Sequence, residues 1–259
     1  MKEKRQDEIM ELLRNDGILK TTDLVEYFQV SLETIRRDIA VLVSNGYVKK
    51  VYGGIRLAEE PEQALPSPSI ENWSRRAQHC HEEKLRIAHK ALEYIQPHSI
   101  IAIDIGTSAY ELARLLKEKE DLSIITTSLS IAGELARNTM HRVYCIGGLV
   151  DQNEIVTVGS FTELFLENFA SIDLFISGAD GITAKTGVTE FHENIDIVKK
   201  QLIAKAGRTI VLADHEKFGR DSLFVSCRLN QVNSIITDAA APAQIIAEIR
   251  KQGIDVDMV

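Results

Sequence analysis

Apolar residues in the first 57 positions recur at helical spacing and then alternate. Residues 6–13 predict a helix with Ile9, Met10, Leu12 and Leu13 on one side, ended by Gly17. A second short helix, capped around Thr21–Thr22, turns Leu24, Val25 and Phe28 inward. Gln29-Val30-Ser31 makes the turn, and Ser31 is a favoured N-cap for a third helix over Leu32–Ser44. Two helices joined by so short a turn form a helix-turn-helix. At about 100° per residue, Ile35, Ile39, Leu42 and Val43 share one side of the third helix. Glu33, Arg36, Arg37, Ala40 and Ser44 share the other. Tyr47 to Leu57 then reads as a two-stranded hairpin turning at Gly53-Gly54.

Beyond residue 73 the pattern changes. A long helix is predicted over Arg75–Ile95 from Leu85, Ala88, Leu92 and Ile95. Apolar, β-branched runs follow at Ser99–Asp104, Leu122–Thr127, Arg142–Ile146, Ile172–Ser177, Arg208–Ala213 and Ser234–Thr237. Amphipathic segments lie between and after them, near Ala109–Lys117, Leu129–Asn138, Ser160–Phe169, Asn194–Ala206 and Pro242–Gln252. Strands alternating with helices mean an α/β domain with a mainly parallel sheet. Three of the five prolines, Pro61, Pro66 and Pro68, fall within Ala58–Ile70 and predict an extended linker. The expected organisation is therefore a DNA-binding domain over 1–57, a linker over 58–73 and an α/β domain over 74–259.

Charge sharpens that division. The chain of 259 residues has a formal net charge of −8, which alone tells against nucleic acid. Yet residues 1–56 hold 10 of the 30 basic and 9 of the 38 acidic residues, so this end is +1 and the remainder −9. Arg36, Arg37, Lys49, Lys50 and Arg56 face only Asp38 within 36–56. A basic stripe on a small module ahead of an acidic body suggests a DNA-binding end. No apolar run approaches the ~20 residues of a membrane span. The charged start of the chain lacks the form of a signal peptide, so the expected address is the cytoplasm. Three scattered cysteines without a C-x-x-C tell against a disulfide framework and a zinc ribbon.

The chemistry of DNA reading fits the third helix. Arg36 and Arg37 are long donors for guanine edges and phosphates, and Ser31, Glu33 and Thr34 stand towards its N-terminal end. Thr22 belongs to the preceding helix, while Lys49, Lys50, Tyr52, Gly53, Gly54 and Arg56 form a basic, glycine-tipped wing beside the phosphates. Val30 to Asp38, with its Thr34-Ile-Arg-Arg-Asp38 core, followed by Gly46 and Tyr52-Gly-Gly-Ile55, resembles the signature of the DeoR family of bacterial transcription regulators. The resemblance implies a winged helix-turn-helix followed by an effector-sensing domain. It also implies repression of sugar or polyol catabolic genes, relieved by a phosphorylated sugar.

In a parallel sheet, ligands sit beyond the C-terminal strand ends. Five ends carry suitable groups: Asp104, Gly106, Thr107 and Ser108; Thr127 and Ser128; Gly147 and Gly148; Asp180; and Asp214 with Lys217. Lys199 lies on the helix before the last of these. Glycines admit close approach, hydroxyls donate, and a helix N-terminus favours an anion, so the set predicts a site for a phosphorylated sugar or polyol. This half also resembles the DeoR sensor domain, in Asp104-x-Gly-Thr, Gly147-Gly148, Gly178 to Ile182, Val198-Lys199 and Ala213 to Gly219. The family's second strand usually ends Thr-Asn-Ser; here it ends Thr126-Thr127-Ser128.

That sensor domain is similar in fold to ribose-5-phosphate isomerase, which supplies the alternative function. Asp104, Asp180, Asp214 and Glu190 are then candidate bases, with Lys199 and Lys217 polarising a substrate oxygen. The related isomerases carry an acidic residue directly after Gly-Ala-Asp, where this chain has Gly181. No catalytic residue and no cofactor is expected. His79-Cys80-His81 is not read as a metal site, because consecutive residues on one helix point in different directions. One winged helix offers few base contacts, so at least a homodimer is expected, assembled through the acidic domain on double-stranded operator DNA.

Overall fold

Ile9 and Leu13, fully buried, seat the first helix, α1, to which residues 5–6, 8–10 and 12–13 belong. The computed structural model describes these residues together with 18–44, 47–51, 54–57 and 73–259. The chain divides between residues 67 and 68 into two compact units.

In the first unit, strand β1 (Ile18–Lys20) leads into α2 (Thr21–Phe28). Thr21 and Thr22 were expected to cap α2. Instead both lie within its first turn, Lys20 holds the cap position without a side-chain bond, and Thr22 Oγ1 is 3.0 Å from Asp23 Oδ1. Gln29, left-handed at φ 51°, ends α2 and makes the expected turn. Ser31 Oγ accepts from the Thr34 amide at 3.2 Å and opens α3 (Leu32–Ser44), whose bounds match the sequence reading. Ile35, Ile39 and Leu42 bury against Ile9, Leu13 and Leu24. Asp38, 1% exposed, lies on that buried side and binds Arg5 Nε at 2.6 Å and Gln6 Nε2 at 3.1 Å.

Strands β2 (Val48–Val51) and β3 (Gly54–Leu57) form the wing, with β3 between β1 and β2. Gly54 was read as part of the turn, but it already pairs with Val51. A Cβ there would stand 2.2 Å from the Leu19 carbonyl oxygen, so glycine is what lets β1 close on β3. Gly53 lies outside the described residues. So does the expected linker, except Trp73, which begins α4 (Trp73–Gln78) and stacks edge-on against Tyr110.

In the second unit, α5 (His81–Leu92) follows α4 after a break that replaces the single helix expected over Arg75–Ile95. Cys80 is left-handed there, φ 48°, and Lys84 Nζ donates to the carbonyls of Arg76 and His79 at 2.5 and 2.7 Å. That ammonium serves carbonyls that a helix end leaves without intrahelical partners.

The remaining elements run in order. Strand β4 (Ile100–Ile103) precedes α6 (Thr107–Leu115), β5 (Ser123–Thr126) precedes α7 (Leu129–Asn138), and β6 (Arg142–Cys145) precedes the hairpin β7 (Leu149–Asp151) and β8 (Val156–Val158). Then come α8 (Ser160–Glu167), β9 (Ile172–Ser177), β10 (Gly181–Thr183), β11 (Gly187–Glu190), α9 (Glu193–Lys205) and β12 (Ala206–Leu212). Strands β13 (Phe224–Cys227) and β14 (Ser234–Thr237), helix α10 (Ala243–Arg250) and strand β15 (Asp255–Met258) close the chain.

Seven strands make one parallel sheet in the order β15-β14-β12-β9-β4-β5-β6. Alternate residues of each strand enter opposite cores. Ile101 and Ile103 pack with Ile87, Leu112 and Ile131 of α5, α6 and α7. Ala102 and Phe175 pack with Leu166, Leu202 and Ile246 of α8, α9 and α10. Every strand of the sheet but β15 was legible; β1, β7, β8, β10, β11, β13 and β15 were not, and β1, β7, β8 and β10 have only three residues each. From β4 the chain winds outward to β5 and β6, then resumes at β9 on β4's other side, so the switch point lies between β4 and β9.

Candidate functional site

The exposed side of α3 carries Glu33, Arg36, Arg37 and Ala40, as its periodicity predicts, with Ser31 exposed and Thr34 half-buried at its start. Arg37 Nε stands 3.6 Å from Glu33 Oε1, an exposed pair one turn apart. Thr22 and Lys49 are also exposed. The wing's register sets Lys49 opposite Arg56 and Lys50 opposite Ile55. Gly54 is buried, so its part is packing rather than contact. Tyr52 and Gly53 lie outside the described residues.

In the sensor unit, the ends of β4, β9 and β12 open on one cavity of about 140 Å³. Gly106, Thr107 and Ser108 line it from the N-terminus of α6, whose first amides have no acceptor within the helix. Asp180 comes from beyond β9, and Asp214 and Lys217 from the turn after β12. Asp104 joins the two strands at the switch point. Its Oδ2 accepts from the Gly178 amide at 3.0 Å and from Ser177 Oγ at 3.3 Å.

Lys199 is buried to 1% and anchors the floor. Its Nζ meets Asp104 Oδ2 at 3.1 Å, Glu190 Oε2 at 2.7 Å and the Gly178 carbonyl at 3.2 Å. An ammonium has three donors, and three acceptors occupy them. Burial alone would strip its proton, but Asp104 and Glu190 outweigh that and hold it charged. Lys199, expected to meet the effector, does line the cavity, with its ammonium already held by Asp104, Glu190 and the Gly178 carbonyl.

Asp180 and Glu190 form a carboxylate–carboxyl pair whose oxygens both accept from the Phe191 amide, at 3.0 and 2.9 Å. Burial pushes both up. For Asp180, the Glu190 hydrogen bond with the charges of Lys199 and Lys217 overcomes burial and brings it to about 2. Glu190 is pushed up to about 8 by desolvation, against the pull of Lys199 and with the help of Asp180. The two groups titrate as one coupled pair, Glu190 above the usual carboxylate range and Asp180 below it.

The other two strand ends do not reach this cavity. The Thr127 carbonyl accepts from the Thr157 amide at 3.0 Å, and Ser128 caps α7 through the Ile131 amide. The Gly147 carbonyl accepts from Thr162 Oγ1, and that hydroxyl would lie 2.0 Å from a Cβ at residue 148. None of these four predicted residues lines the cavity: Thr127 and Ser128 are buried, and Gly147 and Gly148 are exposed. The Thr-Thr-Ser departure therefore lies outside the cavity.

Sequence reasoning missed Arg76, Glu154 and His192, which line the far wall. Arg76 pairs with Glu154, and His192 Nε2 stands 4.0 Å from Glu154 Oε1. Arg76 Nε and His192 Nε2 are buried without a hydrogen-bond partner among the described residues. Arg76 sits in a six-residue helix and His192 in a connection, so no periodic signal marked either. Among its lining groups the cavity thus offers two nitrogens without partners, a helix N-terminus and the carboxylates of Asp180 and Asp214, a set suited to an anion bearing hydroxyls.

The DeoR-like helix-turn-helix domain matches residues 5–61, and the DeoR C terminal sensor domain matches residues 79–239. The chain belongs to the DeoR family. The glycerol-3-phosphate regulon repressor of Escherichia coli (strain K12) is 31% identical over 255 residues, 98% of each chain. The HTH-type transcriptional regulator IolR of Bacillus subtilis (strain 168) is 31% identical over 237 residues, 92% of this chain and 91% of its own. Ribose 5-phosphate isomerase A of Methanocaldococcus jannaschii overlays with a TM-score of 0.41 at 17% identity, over 54% of this chain and 55% of its own. No functional statement rests on that partial likeness.

Like other DeoR proteins, this one is a DNA-binding transcriptional regulator and not an enzyme. The isomerase alternative is set aside by that family assignment. At Gly181 a Cβ would lie 2.4 Å from the Arg220 carbonyl oxygen and 2.7 Å from Thr189 Oγ1, so no side chain has room there. Among the described residues no helix is long and apolar enough to cross a membrane.

Proposed function

We propose that this regulator represses a sugar or polyol catabolic operon and leaves its operator when a phosphorylated sugar or polyol fills the sensor cavity. The observation that carries the reading is the pair of buried nitrogens without hydrogen-bond partners among the described residues, Arg76 Nε and His192 Nε2, in a cavity that also holds the α6 N-terminus. The phosphate takes the α6 amides with Lys217, and the hydroxyls take Asp180 and Asp214. Lys217 is half-buried and makes no side-chain ion pair among the described residues. The Escherichia coli relative, a glycerol-3-phosphate regulon repressor, supports the chemical class. On the DNA, Arg36 and Arg37 read bases, with Ser31, Glu33, Thr34 and Thr22 around them, while Lys49, Lys50 and Arg56 hold phosphates.

Release requires that the effector bind the DNA-free state more tightly, because equal affinity for both states shifts nothing. The working form is a cytoplasmic homodimer or higher homo-oligomer, matching paired half-sites. Exposed Phe161, Leu164 and Leu149 near the unpaired edge of β6 support assembly through the sensor unit.

Selection of bound genomic fragments near 150 mM salt, with and without a panel of phosphorylated sugars and polyols, tests the reading. Enrichment of a few sites, lost with one phosphorylated compound, is expected. Lys217→Ala then keeps DNA binding and loses release. Enrichment indifferent to every compound overturns the effector assignment, and a monomeric mass by light scattering overturns the assembly.

A further inference from the structure

The break between α4 and α5 does more than end a helix. In an unbroken helix His79 and Cys80 would point about 100° apart. With Cys80 left-handed, His79 Nε2, Cys80 Sγ and a Glu216 carboxylate oxygen all lie within 4.8 Å of one another. Glu216 arrives from the turn after β12, far along the chain, and its Oε2 is 2.8 Å from His79 Nε2. The glutamate's backbone is fixed in turn, its amide donating to buried Asp214 Oδ1 at 3.1 Å.

Imidazole nitrogen, thiolate sulfur and carboxylate oxygen are the donor set of zinc, at bond lengths of about 2.0–2.3 Å. Donors already this close surround one ion after small rotations of His79 and Glu216, whose side chains are half exposed. Asp214 beside them adds negative charge that favours a cation, and the Lys84 ammonium opposes it. Both His79 and Glu216 line the cavity wall, so a three-ligand ion here keeps its fourth position towards the cavity.

We propose that His79, Cys80 and Glu216 form a binding site for one zinc-class divalent cation at the rim of the sensor cavity. The ion ties the α4–α5 junction to the turn after β12. Its binding releases the Cys80 thiol proton to buffer, so affinity falls as pH falls. The site needs no effector to form.

The test uses the full chain, stripped with chelator and titrated with Zn²⁺ by calorimetry and native mass spectrometry. One ion per chain is expected, with a rise in the unfolding temperature reported by Trp73 fluorescence. Co²⁺ in place of Zn²⁺ should give the near-ultraviolet charge-transfer band of a cobalt thiolate. Cys80→Ser abolishes that band. Cys80→Ser and His79→Ala each weaken Zn²⁺ binding by at least about 10–100-fold, the loss that even outer-shell changes cause. Unfolding in excess chelator, unchanged between the variants and the parent, shows that both still fold. No stoichiometric binding at micromolar Zn²⁺, a cobalt band that survives Cys80→Ser, or unaltered affinity in both variants overturns the site. None of these outcomes bears on effector release, which is read without added metal.

Discussion

Helices α3 and α9 are each 13 residues long and each carries cations near its middle, but they use them in opposite ways. On α3, Arg36 and Arg37 are exposed, and the buried side is apolar apart from Asp38. On α9, Lys199 and Asp196 are buried among Ile195, Val198 and Leu202. A helix that works on its solvent side keeps a clean amphipathic pattern. One that works on its buried side mixes charge into its apolar face and blurs the pattern. The arginines of α3 face solvent, Arg37 in no more than an exposed pair with Glu33, whereas Lys199 is neutralised inside the fold.

The largest effect expected from this contrast is Lys199→Met. It leaves Asp104 and Glu190 buried without their cation and should destabilise the sensor unit by about 3–5 kcal/mol. Trp73, the chain's single tryptophan, packs on Tyr110 and reports that unfolding in urea. Arg37→Ala on α3 should cost less than about 0.5 kcal/mol in stability, since its pair with Glu33 is exposed. Equal losses would end the distinction.

Next in size are the DNA contacts. Arg36→Ala should cost about 1–3 kcal/mol on the selected operator and relax preference at one base position. Lys49→Ala should weaken all sequences alike and lower the salt slope by about one. Titrations of operator variants at several salt concentrations separate the two, and identical profiles would erase the division into readers and positioners.

The smallest effect, taken per pH unit, is a slope in stability. Folding raises Glu190 from 4.5 to about 8, so the folded chain holds a proton that the unfolded chain has released. The stability from this group is complete below 4.5 and is lost as pH rises through about 8. Urea unfolding between about pH 5 and 8 should therefore show a decline of at most ~1.4 kcal/mol per pH unit that Glu190→Gln removes. Asp180 does not contribute in that window. Its carboxyl is lowered to about 2, so its contribution is lost only as pH falls from 3.8 through that value.

The same contrast explains what could be read from the chain. Ser31, the spacing of Ile35, Ile39 and Leu42, and the outward arginines gave α3 its bounds and its role, because capping and periodicity are local signals. Asp104, Asp180 and Asp214 were legible as polar groups at strand ends. What stayed hidden depends on distant partners. Lys199 joins Asp104 and Glu190 only once the sheet has formed, and Arg76 and His192 meet only across the cavity. Thr127, Ser128, Gly147 and Gly148 looked equivalent to the other strand ends because no local signal separates an end that lines the cavity from one that does not. The break at Cys80 was hidden because its cause, the Lys84 ammonium on two carbonyls, acts against the apolar spacing of Leu85, Ala88 and Leu92.

The pairing of β4 with β9 also sets a timetable for synthesis. Ile101 has no neighbour on one edge until Leu174 is made. At ribosomal speeds of ~5–20 residues per second, that wait is on the order of 4–15 s. During it β4, β5 and β6 can pair, but the middle of the sheet stands open and apolar. The winged-helix unit needs nothing made later and completes its own core first. A nascent chain of this regulator thus carries a finished DNA reader while its sensor is still an open edge, and that interval is when a chaperone has something to hold.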